Sequence, residues 1–259
     1  MKVVISTDWH GDWVTAGVPR FDEIAKAVDA SVRAAVDMKA SVYIFAGDLS
    51  EVEGPGMLQT LALAVGVAKD LNRRGIQSVW LTGNHDVIED GLGTSNLTPM
   101  AEVEGAELVD APRIIPFADV AHHRGAPMPF GSEARAKYLS QQRLPPGVKR
   151  LACLPFTPRT HNYDPRAFVR DNVAAHPDLV VGHLMLEGIA AGSETTDMAR
   201  GRDVFWPLAE IKECWPGALL IGGHYHETQV YQGVHLVGSL ARLTRSELNN
   251  APSYLVATI

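Results

Sequence analysis

The sequence KVVISTDWH at residues 2–10 and the sequence SVYIFAGD at residues 41–48 decide the fold class of this chain. Each stretch begins with a short apolar, β-branched run, which is typical of a buried strand, and the run ends where polar residues begin. Between them, residues 20–39 carry apolar side chains at three- and four-residue spacing, which predicts a crossover helix. A strand, a helix and a strand in this order indicate a parallel α/β sheet.

The same alternation continues along the chain. The first two strands are predicted at residues 2–7 and 41–46, and a second helix is predicted at residues 56–74. Further strands of the same short, apolar kind are predicted at residues 76–82, 150–154, 179–182 and 218–221.

The pattern changes in the C-terminal part. Residues 228–231, 234–237 and 254–259 are predicted strands with short links, and Gln232-Gly233 is typical of a hairpin turn. These strands are expected to form a second, partly antiparallel sheet.

One long segment lacks a strand or helix pattern over most of its length. Residues 119–149 carry four prolines and scattered charges, which predicts a loop-rich insertion with one short helix near residues 133–142. No segment has the composition of an interdomain linker, so residues 1–259 are expected to form a single domain.

Composition excludes several classes of protein. Hydrophobic residues make up 46% and charged residues 20% of the 259 residues, which is ordinary for a globular protein and too apolar for disorder. The sequence contains no apolar run of the ~18 residues that span a bilayer and no evident signal peptide, so we expect a cytoplasmic protein without a membrane partner. Cys153 and Cys214 are expected to be reduced packing residues. The net charge of −7 argues against a broad basic surface for a long polyanion.

Polar residues follow successive predicted strands at the point where each strand ends. They are Asp8 and His10, Asp48, Asn84-His85-Asp86, His183, and His224 with His226. Open α/β sheets bind ligands at these carboxyl ends, and residues two apart on an extended segment face the same side. Carboxylate and amide oxygens mixed with imidazole nitrogens suit Mn²⁺, Fe²⁺ or Zn²⁺.

Each motif also has a purely structural interpretation. Taken alone, a histidine at a strand end is usually a satisfied polar residue, and a Gly-Asp pair is usually a turn. Five such motifs at successive strand ends favour a shared site. The glycines before Asp48, Asn84, His183 and His224 are expected to let the backbone turn sharply there.

The series Asp-x-His, Gly-Asp, Gly-Asn-His-Asp, Gly-His and Gly-His-x-His resembles the calcineurin-like metallophosphoesterase family over residues 8–226. The resemblance implies a four-layer α/β sandwich, in which two facing mixed sheets are flanked by helices. It also implies that one cation is held by Asp8, His10 and His226, that the other is held by Asn84, His183 and His224, and that Asp48 bridges both. His85 would contact the scissile phosphate, with Asp86 orienting its imidazole.

Those residue types fit a two-metal hydrolysis. Two divalent cations about 4 Å apart acidify a bridging water and neutralise the charge of an in-line phosphoryl transition state. Mn²⁺ is the expected metal, with Fe²⁺ or Zn²⁺ as alternatives. His85 would stabilise the developing charge or protonate the leaving oxygen.

Three segments are similar to SbcD-type DNA repair exonucleases. They are residues 151–159, residues 182–194, and the Gly-Ser and Arg segment at residues 237–242 with Glu247 following. This resemblance implies a DNA exonuclease or endonuclease in which Arg242 and Arg245 bind substrate phosphates, since guanidinium groups bind phosphate oxygens in pairs. The structural alternative is a turn at Gly238-Ser239 and a surface pair between Arg242 and Glu247.

SbcD-type nucleases also carry a DNA-binding cap and a segment that docks on an SbcC-like ATPase. Neither is recognised in these 259 residues, so the ATPase partner and duplex binding stay open, as does the oligomeric state, and a compact stand-alone enzyme is an alternative expectation. The expected function is hydrolysis of nucleic-acid phosphodiesters. A small-molecule or cyclic-nucleotide phosphodiesterase is the main alternative; a metal-free binding scaffold is a further one, disfavoured because every ligand position is filled.

Overall fold

The computed structural model describes residues 1–88, 95–117, 148–156, 164–189 and 204–259. Most of the predicted insertion at residues 119–149, including the short helix near residues 133–142, lies outside the described residues, so this prediction stays open. The described helices are α1 (Phe21–Asp37), α2 (Met57–Arg73), α3 (Pro165–Asp171) and α4 (Leu208–Cys214). The strands are β1 (Lys2–Ser6), β2 (Val14–Thr15), β3 (Val18–Pro19), β4 (Val42–Phe45), β5 (Gln77–Leu81), β6 (Ala106–Val109), β7 (Arg113–Pro116), β8 (Arg150–Leu154), β9 (Leu179–Gly182), β10 (Leu219–Gly222), β11 (Gln229–Tyr231), β12 (Val234–Leu236) and β13 (Leu255–Thr258).

The two long helices connect neighbouring parallel strands of the first sheet. Helix α1 buries Ile24, Val28 and Val32 on one face, as its apolar spacing predicts. The chain leaves α1 through Lys39, which has a φ of 52°, and leaves α2 through Gly75, which has a φ of 76°. A residue in the left-handed region ends a helix because it turns the chain out of the helical path. Both helices therefore end next to the strand that follows.

The first sheet has the strand order β13-β1-β4-β5-β6. Strands β1, β4, β5 and β6 are parallel to their neighbours, and β13 runs antiparallel to β1. We expected the last strand in the second sheet, and this prediction is wrong. Ala257 lies opposite Val3 and is buried with it in the core between the sheets, so the apolar face of β13 completes the first sheet.

The second sheet has the order β11-β12-β10-β9-β8-β7. Strands β12, β10, β9 and β8 are parallel, while β11 and β7 are antiparallel at the two edges. This sheet is therefore mixed, as predicted for the C-terminal part of the chain. Strands β2 and β3 form a separate short hairpin.

Three apolar clusters define the layers. The first cluster packs α1 and α2 against one face of the first sheet, with Trp9, Phe45 and Trp80 at its centre. The second cluster lies between the two sheets, and the third packs α3 and α4 against the outer face of the second sheet. The predicted four-layer α/β sandwich is confirmed.

The two cysteines are buried and free, Cys153 between the sheets and Cys214 at the end of α4, where that helix packs on the second sheet. Their expected role as packing residues agrees with these positions.

None of the helices in the described ranges combines the length and the apolar character needed to cross a lipid bilayer.

Candidate metal centre

Two groups of three side chains lie at the carboxyl ends of strands from both sheets. Within each group, one ligand atom per residue lies within 4.8 Å of the others, and all six residues are buried. The first group is Asp8, His10 and His226, and the second is Asp48, His183 and His224. The structure thus brings together the residues that the sequence placed at successive strand ends.

Asp48 is a member of the second group that also faces the first. Its Oδ2 atom is 3.6 Å from His10 Nε2 in the first group and 3.2 Å from His183 Nε2 in the second. One carboxylate oxygen therefore faces both groups, as a bridging ligand must.

Asn84 belongs with the second group. Its side-chain oxygen is 3.1 Å from His183 Nε2 and 2.9 Å from His224 Nδ1. An amide oxygen between two imidazole nitrogens can share a cation with both of them. This is the position that the family resemblance implied for Asn84.

Several buried atoms at the centre fit cations. Asp8 Oδ1, both ring nitrogens of His10 and His224 Nε2 have no hydrogen-bond partner, although burying such a group without a partner costs about 1–3 kcal/mol. Asp8 Oδ1 lies 3.8 Å from His226 Nε2. Buried oxygen and nitrogen donors that lie within 4.8 Å of one another and are not all used by the protein are what a divalent cation needs, so the residues present fit two metal ions.

Hydrogen bonds on the far side of the ligands fix their orientation. His183 Nδ1 donates to the Ala46 carbonyl at 2.7 Å, which leaves Nε2 for a ligand role. The second oxygen of Asp8 accepts from Thr7 Oγ1 at 2.7 Å and from the His224 amide at 3.1 Å. The ligands are therefore held in place by the protein itself.

Four of the candidate ligands have a backbone conformation that non-glycine residues rarely adopt. The φ angles of Asp8, His10, Asp48 and His224 are 50°, 44°, 62° and 79°. Such residues cost roughly 1–3 kcal/mol each and persist where the surroundings fix them, which is common at functional sites. The sharp turns at the strand ends are thus made by the ligand residues themselves.

The glycines before the motifs act differently from our expectation. Only Gly47, with a φ of 102°, has the left-handed conformation expected of a sharp turn; Gly83, Gly182 and Gly223 do not. A Cβ on Gly83 would lie 2.1 Å from Asp48 Oδ1, and one on Gly223 would lie 2.2 Å from Thr7 Oγ1. These glycines are required because neighbouring segments approach closely.

Asp86 is buried, and its carboxylate binds backbone amides. One oxygen accepts from the amides of Asp48 and Gly83, and the other accepts from the amide of Leu49, each at 2.8 Å. We expected Asp86 to orient the His85 imidazole. These contacts tie Asp86 to the loop that presents Asp48, and its role in orienting His85 stays a prediction.

Glu51 is the residue whose carboxylate lies against His85. The distance from His85 Nδ1 to Glu51 Oε1 is 2.5 Å, and the His85 side chain is 29% exposed, unlike the buried ligands. The centre of the His85 ring lies 5.0 Å from the centre of the His10 ring, so His85 is next to the first group. Sequence reasoning missed Glu51; the signal available was its place three residues after Asp48, on the same strand-end loop.

Arg242 and Arg245 are both exposed on the segment that follows β12. Arg242 Nε donates to the Asn250 carbonyl at 2.8 Å. Glu247, which we considered as a surface partner for Arg242, is buried and accepts from His226 Nδ1 at 3.0 Å. No local sequence pattern indicates this contact, because the two side chains lie 21 positions apart in the chain.

A comparison with protein families shows which family has this fold and this set of ligands. The sequence profile described as calcineurin-like phosphoesterase matches residues 1–228. This chain belongs to the calcineurin-like phosphoesterase family. Its metal-binding character follows from the same match, together with the two ligand groups.

A solved structure shows the same fold. A dimetal phosphatase from Danio rerio superposes on this phosphoesterase with a TM-score of 0.52 at 12% identity, covering 99% of this chain and 91% of that one. A purple acid phosphatase from yellow lupin (Lupinus luteus) seeds gives a TM-score of 0.46 at 13% identity, covering 90% of this chain and 39% of that one. No curated protein sequence matches the chain.

Burial and mutual charge set the protonation of the phosphoesterase ligands. Burial raises the pKa of Asp8 to about 6 and lowers the pKa of His224 to about 3. Burial opposes the charged forms of Asp48 and His183 as well, but their attraction lowers the pKa of Asp48 well below its usual range and raises the pKa of His183 to about 9. Protons and cations therefore compete for the same ligand atoms.

Proposed function

We propose that this chain is a dimetal phosphodiesterase that hydrolyses nucleic-acid phosphodiester bonds, as an SbcD-like DNA exonuclease or endonuclease that prefers Mn²⁺. The observation that carries the phosphodiesterase chemistry is the pair of adjacent ligand groups that share Asp48, with the exposed His85 beside them. The nucleic-acid substrate is supported by the three SbcD-like segments. Residues 157–159 and 190–194 of those segments lie outside the described residues.

The protein supplies the ligands in two sets. Asp8, His10 and His226 would hold one cation, Asn84, His183 and His224 would hold the other, and Asp48 would contact both. When bound, two divalent cations supply Lewis acidity toward a phosphoryl oxygen and a water acidic enough to react near neutral pH.

His85 and Glu51 supply the proton chemistry. The Glu51 carboxylate accepts from His85 Nδ1 and stabilises the imidazolium, in which Nε2 also carries a proton. That proton can be donated to a phosphoryl oxygen or to the leaving oxygen of the ester. Because His85 is partly exposed, a substrate can reach it while the ligands stay buried.

Arg242 and Arg245 are proposed to bind backbone phosphates of the substrate. Both are exposed on the segment after β12, which also carries Glu247 and so lies against His226. Few basic groups contribute to this contact, since the chain has a net charge of −7. We therefore expect the protein to bind a short stretch of a nucleic-acid strand and not a long duplex.

A small-molecule or cyclic-nucleotide phosphodiesterase is the second candidate. Acidic side chains lie close to His85: Glu51 contacts its ring, and the Asp12 carboxylate accepts from the Glu51 amide at 3.3 Å. Negative charge at this position opposes a long polyanion more than a small ester. The metal-free scaffold is disfavoured, because every ligand position holds a side chain able to bind a cation.

The test is an activity panel with Mn²⁺. It compares end-labelled single- and double-stranded DNA with cyclic nucleotides and an aryl phosphodiester. The proposal expects DNA cleavage that disappears in Asp48→Asn together with bound metal, because Asp48 contacts both cation positions. Hydrolysis of a cyclic nucleotide without cleavage of any DNA would overturn the nucleic-acid substrate. Equal metal content in the wild type and Asp48→Asn would overturn the dimetal site.

A further inference from the structure

Glu247 is a buried carboxylate outside both ligand groups, and it is only 3% exposed. It ends the short 3-10 turn Arg245–Glu247. One of its oxygens accepts from His226 Nδ1 and from Thr244 Oγ1, each at 3.0 Å, and the other accepts from the Leu243 amide at 2.7 Å. A buried carboxylate held by three donors has a fixed position, and here one of the donors is a candidate ligand.

The segment that carries Glu247, residues 238–250, is called the strap below. Its Ser239 amide and its Asn250 side chain both donate to the His226 carbonyl at 3.2 Å. Its Leu243 carbonyl accepts from Trp13 Nε1 at 2.9 Å and from Thr15 Oγ1 at 2.7 Å. The strap therefore holds His226 and is tied to the segment that follows His10, so it borders two ligands of the first group.

The two groups differ in how one histidine is anchored. In the second group, His183 Nδ1 donates to a neutral acceptor, the Ala46 carbonyl. In the first group, His226 Nδ1 faces a carboxylate. A carboxylate keeps the proton on Nδ1, leaves the Nε2 lone pair for a cation and makes the imidazole a stronger donor. Nε2 is also the His226 atom that faces Asp8 Oδ1.

We propose that Glu247 is a positioning residue for the first cation: it fixes the His226 imidazole and strengthens it as a ligand. In the second group, the described partner of His183 Nδ1 is a carbonyl and not a carboxylate. The inference rests on the proposed dimetal site. Its consequence is that removal of the Glu247 charge acts on one binding step and not on the other.

The experiment is a calorimetric titration of metal-stripped protein with Mn²⁺. The wild type is expected to bind two ions. Glu247→Gln should weaken one step by about 10- to 100-fold, the usual effect of losing an outer partner of a ligand, and leave the other unchanged. Gln keeps the shape of the side chain, but His226 Nδ1 and the Leu243 amide donate to different oxygens of Glu247, and Gln replaces one of these oxygens with an NH₂ group that cannot accept.

Two control variants distinguish a general disturbance of the strap from the loss of the Glu247 carboxylate. Leu248→Ala changes an exposed side chain directly after the same turn, and Asn250→Ala removes a strap contact to the His226 backbone but none to its ring. Both should bind two ions as the wild type does. The melting temperature of each metal-stripped variant shows whether the fold is intact. If Glu247→Gln does not fold, Glu247→Asp replaces it: its carboxylate is one methylene farther from His226 Nδ1 and no longer fixes the ring, so it should weaken the same single step.

The outcomes are distinct. Equal weakening of both steps, no change in either step, or the same loss in Asn250→Ala would each overturn the role of Glu247 while leaving the dimetal site in place. A wild type that binds fewer than two ions would overturn the proposed dimetal function, and the role of Glu247 with it.

Discussion

At the scale of single residues, His85 separates the chemistry from metal binding. It lies outside both ligand groups, and its ring nitrogen contacts Glu51. We expect His85→Ala to lower kcat by roughly 10²-fold or more, because a positioned acid contributes about that much, while metal content stays unchanged. Steady-state kinetics with elemental analysis of the same preparation measures both quantities.

The matched control for this prediction is His235→Ala, which removes a half-buried imidazole from β12. That variant should keep both activity and metal. If His85→Ala loses its metal together with its activity, His85 is a ligand and its assignment to the phosphate is wrong.

Tyr43 gives a pH dependence away from the metal centre. Its buried hydroxyl is hydrogen-bonded to Ser6 and Ser31, and burial raises the pKa of Tyr43 from 10.0 to about 12. The unfolded chain therefore ionises first, so this group stabilises the fold fully below about pH 10 and loses that contribution as the pH rises toward about 12.

Tyr43→Phe should be less stable than the wild type by about 1 kcal/mol at pH 8, because the hydroxyl contacts are lost. Both serine hydroxyls keep a hydrogen bond in the variant: Ser6 Oγ accepts from Trp9 Nε1, and Ser31 Oγ donates to the Val28 carbonyl. At pH 11 the difference should shrink by about 1.4 kcal/mol, so that the variant equals or exceeds the wild type. Urea unfolding at the two pH values measures this; an unchanged difference would contradict it.

The candidate ligands could be predicted from sequence because each follows a recognisable strand at short, regular spacing. Glu51 and Glu247 could not be assigned their contacts, since these depend on where a loop crosses another segment. The interaction of Asp86 with three amides has the same origin. Local spacing predicts which residues share an edge of a sheet, but it does not predict which hydrogen bonds they make there.

At the scale of elements, two glycines form a matched pair because one has space for a Cβ atom and the other has none. Gly66 lies on the exposed face of α2, where an added Cβ meets nothing within 4 Å. Gly66→Ala should stabilise the protein by about 0.5–1 kcal/mol, since alanine restricts the unfolded chain and favours the helix. Gly223→Ala should destabilise it by about 1–3 kcal/mol, because the new methyl group meets the Ala46 carbonyl at 2.7 Å.

Thermal unfolding of the two variants beside the wild type checks both signs. A Gly223→Ala protein with an unchanged melting temperature would show that the strand ends can move apart, and that the close approach at the metal centre is not required.

The buried parallel strands and the two long helices could be predicted from sequence, because each has a continuous apolar run or a regular helical face. Strands β8 and β9 have the predicted bounds, and the other matched elements differ by one or two residues at an end. Strands β6 and β7 were missed, since Ala106–Val109 and Arg113–Pro116 mix charge or proline with few apolar residues. The pairing of β13 with β1 was also missed, because strand partners that lie far apart in the chain leave no local pattern.

At the scale of the whole molecule, charge decides how a strand of nucleic acid would be held. Arg242→Ala should lower DNA cleavage much more than hydrolysis of an aryl phosphodiester, because a small ester reaches the metals without touching the exposed strap. With two arginines contributing, the log-log dependence of DNA binding on salt should have a slope of roughly −2, about −0.9 for each phosphate neutralised.

The control is Arg33→Ala, which removes an exposed arginine that pairs with Asp29 on α1. It should change neither activity. Equal losses on both substrates in Arg242→Ala would mean that the residue supports the fold, through its contact with the Asn250 carbonyl.

The ligands of the first cation come from opposite ends of the sandwich's sequence, since His226 follows Asp8 by 226 − 8 = 218 residues. At roughly 5–20 residues per second, a ribosome adds His226 about 10–40 s after Asp8. For most of that interval the growing chain has made Asp8, His10 and Asp48 but not the histidines of the second sheet that face them. Both candidate cation sites therefore stay incomplete until the second sheet has been synthesised, and a chain that terminates before His224 can complete neither of them.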